Sequence, residues 1–390
     1  MKIRLLFTLL ILLNFGCNSS KRFYNSGLVN SKNDIEEIDI NIVNDLPLCK
    51  VEIEGKIYTF LVDTGAPTVI SDEIFQTLKL KESHKSSMTD SQNKKRLEKF
   101  AVIPQIKIGN LIFENIGSAV IKFENNELKC FGFDGIVGAN LLSHIFCEFN
   151  YKENKILVSK NLSAFSLEKY DLILNFNHKN QKTPIINGKI FDKNLSFTFD
   201  TGFAGYIKIP NNLEYYKNKI SEEKLIISNG ASSIGLYGKS DFNKTVELKN
   251  NIYIDNTLFE DELIDSGEST LIGNKFLKDY IFLINWKTNK IYLKKIINNR
   301  EKQIKSFGFS YLFNSGKALV VSIIEDKKIP INLGDEIIRI DDFDFTSIKN
   351  EDICKYYLNK VEKDKEIIDI TIKRDNKLLN FKLQKQIFLK

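Results

Sequence analysis

Alternating apolar and polar positions dominate the chain and predict a mostly β protein. Residues 51–56 alternate and turn at Gly55, and 57–62 return as the second strand of a hairpin that runs into Asp63. The other elements predicted in this part are a helix at 72–78, a hairpin or loop at 81–96, strands at 100–113 and 119–123, a helix at 141–146 and a hairpin at 149–158.

The same order of elements recurs further along the chain. Residues 185–191 and 195–199 predict a hairpin, 230–241 contain a Gly-rich tip where a second flap would lie, and 246–259 and 281–293 predict further hairpins. An internal repeat of this length predicts two similar β domains that share one face.

The last part of the chain has a pattern of its own. After a charged linker at 298–305, a unit of about 85 residues begins, which is a normal size for a small domain. Residues 318–324 predict a strand, 348–361 have helical spacing, and 367–383 predict a hairpin that turns at Asp375-Asn376.

Each half of the repeat contains Asp-Thr-Gly directly after an apolar strand, at 63–65 and 200–202. Further along each half, two apolar residues are followed by a Gly, which is Gly138 in the first half and Gly273 in the second. This Gly follows the Asp by 75 positions in the first half (138 − 63) and by 73 in the second (273 − 200). A duplicated unit that supplies one acid per copy favours a paired site over two ordinary turn residues.

Paired carboxylates have a defined chemistry. Like charges a few ångströms apart cannot both ionise easily, so Asp63 and Asp200 would share one proton. One Asp then acts as general base and the other as general acid, and a water held between them attacks a peptide carbonyl.

The neighbouring residues suit this arrangement. A Thr hydroxyl after each Asp can bond across the interface, the following Gly allows close approach of the backbone, and the apolar-apolar-Gly segment packs beneath each loop. The supporting residues predicted in this way are Thr64, Gly65, Gly138, Thr201, Gly202 and Gly273.

These motifs, in order over about 38–296, resemble the two lobes of a pepsin- or retropepsin-like aspartyl protease, most closely the bacterial retropepsin-like members found as exported proteins. The resemblance implies a bilobal β fold, peptide-bond hydrolysis by Asp63 and Asp200, and flaps over a cleft, with Tyr237 and Gly238 as substrate-binding flap residues. Phe203 departs from the small residue usual at its position, and would crowd the second carboxylate or remove a supporting hydroxyl. Each copy is also shorter than a pepsin lobe.

The C-terminal unit resembles a PDZ domain. Phe307-Gly308-Phe309 is similar to its carboxylate-binding loop, and 333–341 to its Gly-Asp strand entry. The resemblance implies a groove that binds extended peptide or chain ends by strand addition. A packing module without a ligand is the alternative.

The N-terminus has the pattern of a targeting segment. Lys2 and Arg4 precede an apolar run at 5–13 that is too short to span a bilayer, and a small residue precedes Cys17. The segment resembles a bacterial lipoprotein signal with Cys17 as the lipidated residue. An ordinary secretory signal or an uncleaved anchor remain alternatives.

The predicted organisation is therefore mostly β, with two pseudo-twofold-related protease lobes and a small PDZ-like domain with one or two helices. Its segments are a signal peptide (1–17), a tether (18–37), lobe 1 (38–165), lobe 2 (166–297), a linker (298–305) and the PDZ-like domain (306–390).

Composition narrows the possible partners. A net charge of +6 with scattered lysines argues against nucleic acid as a partner. Four cysteines besides Cys17 match no metal pattern, and the compartment would permit a Cys130–Cys147 disulfide that the sequence alone does not assign. His84, His144 and His178 share no motif, and the motifs of serine hydrolases, zincins and NTPases are missing from the sequence.

The expected function is that of an exported, lipid-anchored aspartic endopeptidase of the cell envelope. It would act as a monomer on peptide or protein substrates, without metal or cofactor. Two alternatives remain open: a peptide-binding lipoprotein that keeps the fold but has lost turnover, for which Phe203 is the main support, and a protease that cuts one dedicated partner.

Overall fold

The computed structural model describes residues 23–31, 33–123, 126–231, 233–297, 300–326 and 328–390. The predicted signal segment, including Cys17, lies outside them. Within the described ranges, no helix has the length and apolar character needed to cross a membrane.

Lobe 1 is built around the hairpin that ends at the first Asp. Its turn consists of Glu54 and Gly55, both with positive φ, as the tight turns of two-residue hairpins require. The elements of lobe 1 are the strands β1 (Leu28–Asn30), β2 (Glu36–Val43), β3 (Leu46–Ile53), β4 (Lys56–Asp63), β5 (Val69–Ser71), β6 (Glu82–Thr89), β7 (Lys95–Ile108), β8 (Leu111–Ile121), β9 (Gly135–Gly138), β10 (Phe146–Asn150) and β11 (Lys155–Ser159), and the helices α1 (Asp72–Thr77), α2 (Asn126–Lys129) and α3 (Ala139–Leu142).

Lobe 2 repeats this arrangement. Two 3₁₀ turns, Leu162–Ala164 and Leu167–Lys169, lead into it. Its elements are the strands β12 (Leu172–Asn175), β13 (Asn177–His178), β14 (Pro184–Ile190), β15 (Lys193–Phe199), β16 (Ile207–Pro210), β17 (Leu225–Gly230), β18 (Ile234–Gly235), β19 (Gly238–Lys239), β20 (Asn243–Ile254), β21 (Thr257–Gly267), β22 (Leu271–Ile272), β23 (Tyr280–Asn285) and β24 (Lys290–Lys295), the helices α4 (Leu213–Lys217) and α5 (Asn274–Leu277), and the 3₁₀ turn Glu222–Lys224.

The two lobes share one sheet and one apolar core. Strands β2, β11 and β10 of lobe 1 continue into β23, β24 and β12 of lobe 2. At the seam, Glu148 lies opposite Leu283 and the rings of Phe149 and Phe282 stack with centroids 4.7 Å apart. Each fully buried aromatic or aliphatic side chain of this core stabilises the fold by about 1.5–3 kcal/mol. The predicted shared face of the repeat is this sheet.

The third domain spans 304–390 and has its own core. Its elements are the strands β25 (Ile304–Ser306), β26 (Phe309–Asn314), β27 (Lys317–Ile324), β28 (Glu336–Ile340), β29 (Phe343–Asp344), β30 (Ile367–Arg374), β31 (Lys377–Gln384) and β32 (Gln386–Leu389), the helix α6 (Ile353–Leu358), and the 3₁₀ turns Phe345–Ser347 and Asn350–Asp352.

The third domain is attached to both lobes. Strand β27 pairs antiparallel with β17 of lobe 2, with Asn229 opposite Ile323. A disulfide joins Cys130, just after α2 of lobe 1, to Cys354 in α6. The Cys130–Cys147 pairing considered from the sequence is wrong, because Cys147 is a free thiol buried in the lobe core.

Two predicted boundaries differ from the structure. The tether predicted at 18–37 is part of lobe 1 where it is described: Leu28–Asn30 pair with β8, and Phe23 packs edge-on against Phe100. The linker predicted at 298–305 ends earlier, because β25 begins at Ile304 and pairs with β32. Both segments are mostly polar in sequence, but a few residues in each pair with a strand or pack against an aromatic ring.

Candidate active site

Two carboxylates lie together where the lobes meet. Asp63 is the last residue of β4, and Asp200 directly follows β15. Strand β9 runs parallel to β4, and β22 runs parallel to β15, so each Asp leaves its sheet at an equivalent point. Both carboxyl groups are buried, and they hydrogen-bond to each other. The duplicated motif therefore builds one site.

The threonines after the two Asp residues interlock across the lobe interface. Thr64 N–H donates to Thr201 Oγ1 at 3.0 Å, and Thr201 N–H donates to Thr64 Oγ1 at 3.1 Å. Each hydroxyl then donates to a main-chain carbonyl of the opposite lobe, Thr64 to Phe199 at 2.6 Å and Thr201 to Val62 at 2.8 Å. Both threonines are fully buried, so water does not compete for these bonds. The interlock fixes the spacing of the two Asp loops.

The next residue in each loop must be Gly because the opposite carboxyl group occupies the space of a side chain. A Cβ on Gly65 would lie 2.5 Å from Asp200 Cγ, and one on Gly202 would overlap the carboxyl group of Asp63. Each Gly also donates its N–H to the carboxylate of its own loop, Gly65 at 2.7 Å and Gly202 at 2.8 Å. Both glycines thus allow close approach and donate to a carboxylate, and their part in catalysis stays a prediction.

The two apolar-apolar-Gly segments lie beneath the Asp loops. A Cβ on Gly138 would overlap the main chain of Pro67, and one on Gly273 would overlap Phe203. Asn274 N–H then donates to Phe203 O at 2.8 Å and ties the loop down. These contacts explain why each half carries Gly at this spacing.

The pair is electrostatically asymmetric. Burial raises the pKa of Asp63, and hydrogen bonds from Gly65 N–H, Asp200 and Ala66 N–H offset part of the rise. Burial, the charge of Asp63 and the hydrogen bond with Asp63 raise the pKa of Asp200 well above its ordinary value, and only Gly202 among the backbone donors opposes them. The additional backbone donors on Asp63 thus favour its ionised form, and the shared proton is favoured on Asp200.

Phe203 lies beside the pair and not between its carboxyl groups, which bond to each other directly. Its ring packs against Gly205 and Gly273, and Lys208 Nζ lies 4.8 Å from the ring centroid. Its N–H donates to the main-chain oxygen of Asp200 at 3.3 Å. Phe203 therefore does not separate the two carboxyl groups. Its N–H does not donate to the Asp200 carboxylate, whereas Ala66 N–H donates to that of Asp63.

Two hairpin tips meet above the pair. Flap 1 is the β6–β7 hairpin with its tip at 90–94, as predicted for the polar stretch, and flap 2 is the β18–β19 hairpin. Tyr237 N–H donates to Asp90 Oδ2 at 2.8 Å, and Lys94 Nζ donates to Lys239 O at 2.5 Å. Ser233 Oγ donates to Gln92 Oε1 at 3.3 Å. The flaps are hydrogen-bonded to each other in this structure.

The predicted flap residues serve this contact more than the cleft. Tyr237 is buried against flap 1 with Arg96 over its ring, and Gly238 pairs with Gly235 at φ +118°. The residues of flap 2 that face the cleft are Ser233, Ile234, Gly235, Leu236 and Lys239. A turn signal alone does not tell which of its residues point inward.

The cleft has a volume of about 930 Å³ and extends from the two Asp residues to the third domain. Ser310, Tyr311 and Leu312 of β26 line it, together with residues that follow α6. The predicted loop Phe307–Phe309 lies outside this lining: Phe307 is in the domain core, and Gly308 N–H donates to Ser306 Oγ at 3.1 Å. The contribution of the third domain to the cleft has no sequence signal, because it depends on how the domains pack.

The histidines take no part in the cleft. His84 stacks on Phe100 with ring centroids 4.9 Å apart, His178 is exposed, and burial lowers the pKa of the half-buried His144. Among the described residues, no group of three or more His, Cys, Asp or Glu side chains is placed to hold a metal ion.

Residues 49–141, which include Asp63 and Gly138, match the model of a family described as aspartyl protease. The match covers most of lobe 1 and supports an aspartyl protease of the retropepsin-like kind. No match is found among curated proteins. Lobe 2 lies outside the matched range, and its likeness rests on the repeated motif and geometry described above.

Proposed function

We propose that this protein is an aspartic endopeptidase that hydrolyses peptide bonds with a water activated between Asp63 and Asp200. The observation that carries the proposal is the direct hydrogen bond between the two buried carboxyl groups in a cleft large enough for a peptide. The family match of lobe 1 and the interlocked threonines support it.

The protonation asymmetry assigns the roles. Asp63, ionised, takes a proton from the water as its oxygen attacks the peptide carbonyl, and Asp200 gives its proton to the carbonyl oxygen. The resulting tetrahedral diol collapses when Asp63 returns a proton to the leaving nitrogen and Asp200 recovers one from a hydroxyl, so the carboxyl and amine products form and the pair regains its single proton. No covalent intermediate is required.

Cleavage of a peptide library, with products mapped by mass spectrometry, tests the proposal. Asp63→Asn and Asp200→Asn should each abolish cleavage and leave the fold intact by circular dichroism. Asp375→Asn is the matched control, because this exposed turn residue has a positive φ that Asn adopts readily and lies outside the cleft lining. Cleavage that persists in both dyad variants would refute the assignment.

A binding protein without turnover is the second candidate. The specific observation in its favour is that Phe203 N–H bonds to the Asp200 main chain and leaves that carboxylate with one backbone donor fewer than Asp63. Peptides retained by the wild-type protein and recovered uncut would support this candidate over the protease.

We further propose that the third domain binds extended peptide or chain ends as a PDZ domain does. The support is that β26 lines the same cleft as the two Asp residues. One carbonyl of β26 is not free to pair with an added strand, because Tyr311 O already accepts a hydrogen bond from Lys360 Nζ at 2.6 Å. Peptides with a free and with an amidated C-terminus, compared for binding to the full chain, test the preference for chain ends.

Export and lipid anchoring at Cys17 are also proposed, with localisation to the cell envelope. The Cys130–Cys354 disulfide supports an oxidising compartment. Metabolic labelling with a fatty-acid probe, lost in Cys17→Ala, tests the lipid, and cell fractionation tests the location.

A further inference from the structure

Lys208 is a buried cation in the cleft. It lies in β16 opposite Leu271, and the position with the same register in lobe 1 is Val69, which lies opposite Ile136 and is fully buried. Only 5% of Lys208 is exposed. Burying an ammonium group costs free energy unless a partner offsets it, so a lysine where the other lobe has valine calls for a reason.

The ammonium group of Lys208 has few partners within the chain. Its Nζ donates to Ser233 Oγ at 3.1 Å and lies over the Phe203 ring. No carboxylate in the described part of the chain forms a salt bridge with it, although Asp265, Asp200 and Glu268 are near enough to raise its pKa against the lowering by burial. An ammonium group has three donors, and among the described residues Lys208 uses one of them, in the bond to Ser233.

These donors belong to the cleft wall beside the proposed catalytic pair. Lys208, Phe203 and Ser233 line the same cleft as Asp200. The Ser233 hydroxyl also donates a hydrogen bond to Gln92 at the tip of flap 1. A substrate group that took the place of Gln92 as acceptor for the Ser233 hydroxyl would also lie close to the ammonium group of Lys208. The wall therefore offers a cation, a hydroxyl donor and an aromatic floor at one place.

We propose that Lys208 and Ser233 form a subsite for a carboxylate side chain of the substrate, Asp or Glu, close to the scissile bond. This inference rests on the proposed function and names its substrate class. The carboxylate accepts from Lys208 Nζ and Ser233 Oγ, while Phe203 holds the ammonium group from below. Phe203, which in the sequence is the main support for a protein without turnover, then belongs to substrate selection.

The test begins with cleavage of a peptide library by the wild-type protein at about pH 6, where a free Glu side chain is ionised. Asp or Glu should be enriched at one position near the cut. A pair of peptides with Glu or Gln at that position is then compared. A charge-assisted hydrogen bond predicts a kcat/KM about tenfold higher for the Glu peptide.

Variants locate the preference. In Lys208→Met the Glu-to-Gln ratio should fall to about one while the Gln peptide is still cut, and Lys208→Arg should keep a ratio above one. Lys179→Met is the control, because Lys179 is an exposed lysine that lines the same cleft. Methionine suits the buried strand position, and circular dichroism checks the fold. A ratio unchanged in Lys208→Met overturns the inference.

Binding separates this inference from the proposed function. If the wild-type protein cuts no peptide, a library peptide that it retains and that contains Glu is paired with its Gln version, and both peptides are titrated against the wild-type protein and against Lys208→Met. Tighter binding of the Glu peptide that disappears with Lys208→Met upholds the subsite while hydrolysis fails. Equal binding of both peptides overturns the subsite.

Discussion

Ala66 and Phe203 occupy the same place after Asp-Thr-Gly, yet their amide groups bond differently. Ala66 N–H donates to the carboxylate of Asp63 at 3.1 Å, whereas Phe203 N–H donates to the main-chain carbonyl of Asp200 at 3.3 Å. An N–H bond stabilises the ionised form of a carboxylate, so this difference lowers the pKa of Asp63 relative to that of Asp200. Two nearly equivalent acids thereby receive different roles.

The pH dependence of activity should follow from this difference. In a bell-shaped profile of kcat/KM, the acid limb reports protonation of Asp63 and the alkaline limb reports loss of the shared proton from Asp200. The groups that act on Asp200 are Asp63, Gly202 N–H and Lys208, and the lysine charge lowers its pKa. Removing that charge in Lys208→Met raises the pKa of Asp200, so the alkaline limb should move to higher pH. A limb that stays in place or moves down would contradict the assignment of the proton to Asp200.

Adding one methyl group to either loop glycine should disable the site. In Gly65→Ala and Gly202→Ala the new Cβ meets the opposite carboxyl group, and a displacement of about 1 Å is expected to cost about 100-fold in kcat/KM. Gly55→Ala is the control: its φ is +77° and nothing lies within 4 Å of a Cβ there. That variant should lose about 1 kcal/mol of stability and keep its activity. Equal loss of activity in all three variants would point to a general folding defect.

Replacing Thr64 or Thr201 by valine should destabilise the protein. Each change leaves a buried N–H and a buried carbonyl, both of the opposite lobe, without their hydroxyl partner, at about 2–4 kcal/mol. Urea denaturation measures the loss. The double variant should cost less than the sum, because the four bonds form one network.

Thr59→Val is the matched control for the threonines. Among the described residues, Lys50 Nζ is the one partner of its Oγ1, in an exposed contact, so the free energy of unfolding should change by less than about 1 kcal/mol. A comparable loss of unfolding free energy in Thr59→Val would mean that the bonds between Thr64 and Thr201 do not contribute more to stability than an exposed hydroxyl contact.

The Cys130–Cys354 disulfide should stabilise the chain and hold the third domain at the cleft. Reduction is expected to lower the free energy of unfolding by about 2–5 kcal/mol, since the bond closes a loop with a sequence separation of 224. Cleavage of long peptides that reach β26 should slow, while short peptides should be cut at the same rate. The Cys130→Ala/Cys354→Ala variant is the control and should not respond to reductant. A reductant effect in that variant would assign the change elsewhere.

Much of the fold and of the pair was predictable because the chain repeats itself. Asp63, Asp200 and their glycines follow apolar strands at matching intervals, and alternation with Gly-rich turns specifies hairpins locally. Lys208 was missed because a lysine within an apolar run reads as solvent-facing until its register with Val69 is known. The position of Phe307–Phe309 away from the cleft, and the pairing of Cys130 with Cys354, depend on domain packing, which no local pattern encodes.

The third domain bonds to lobe 2 through β17–β27 and to lobe 1 through Cys130–Cys354, and its strand β26 lines part of the cleft. Two matched acids related by a pseudo-twofold axis would accept a peptide running either way. The third domain breaks that equivalence, because it is present once and adds residues of β26 to the cleft lining beside the two lobes. Under the proposed function, a peptide held between the two acids would therefore have one preferred direction.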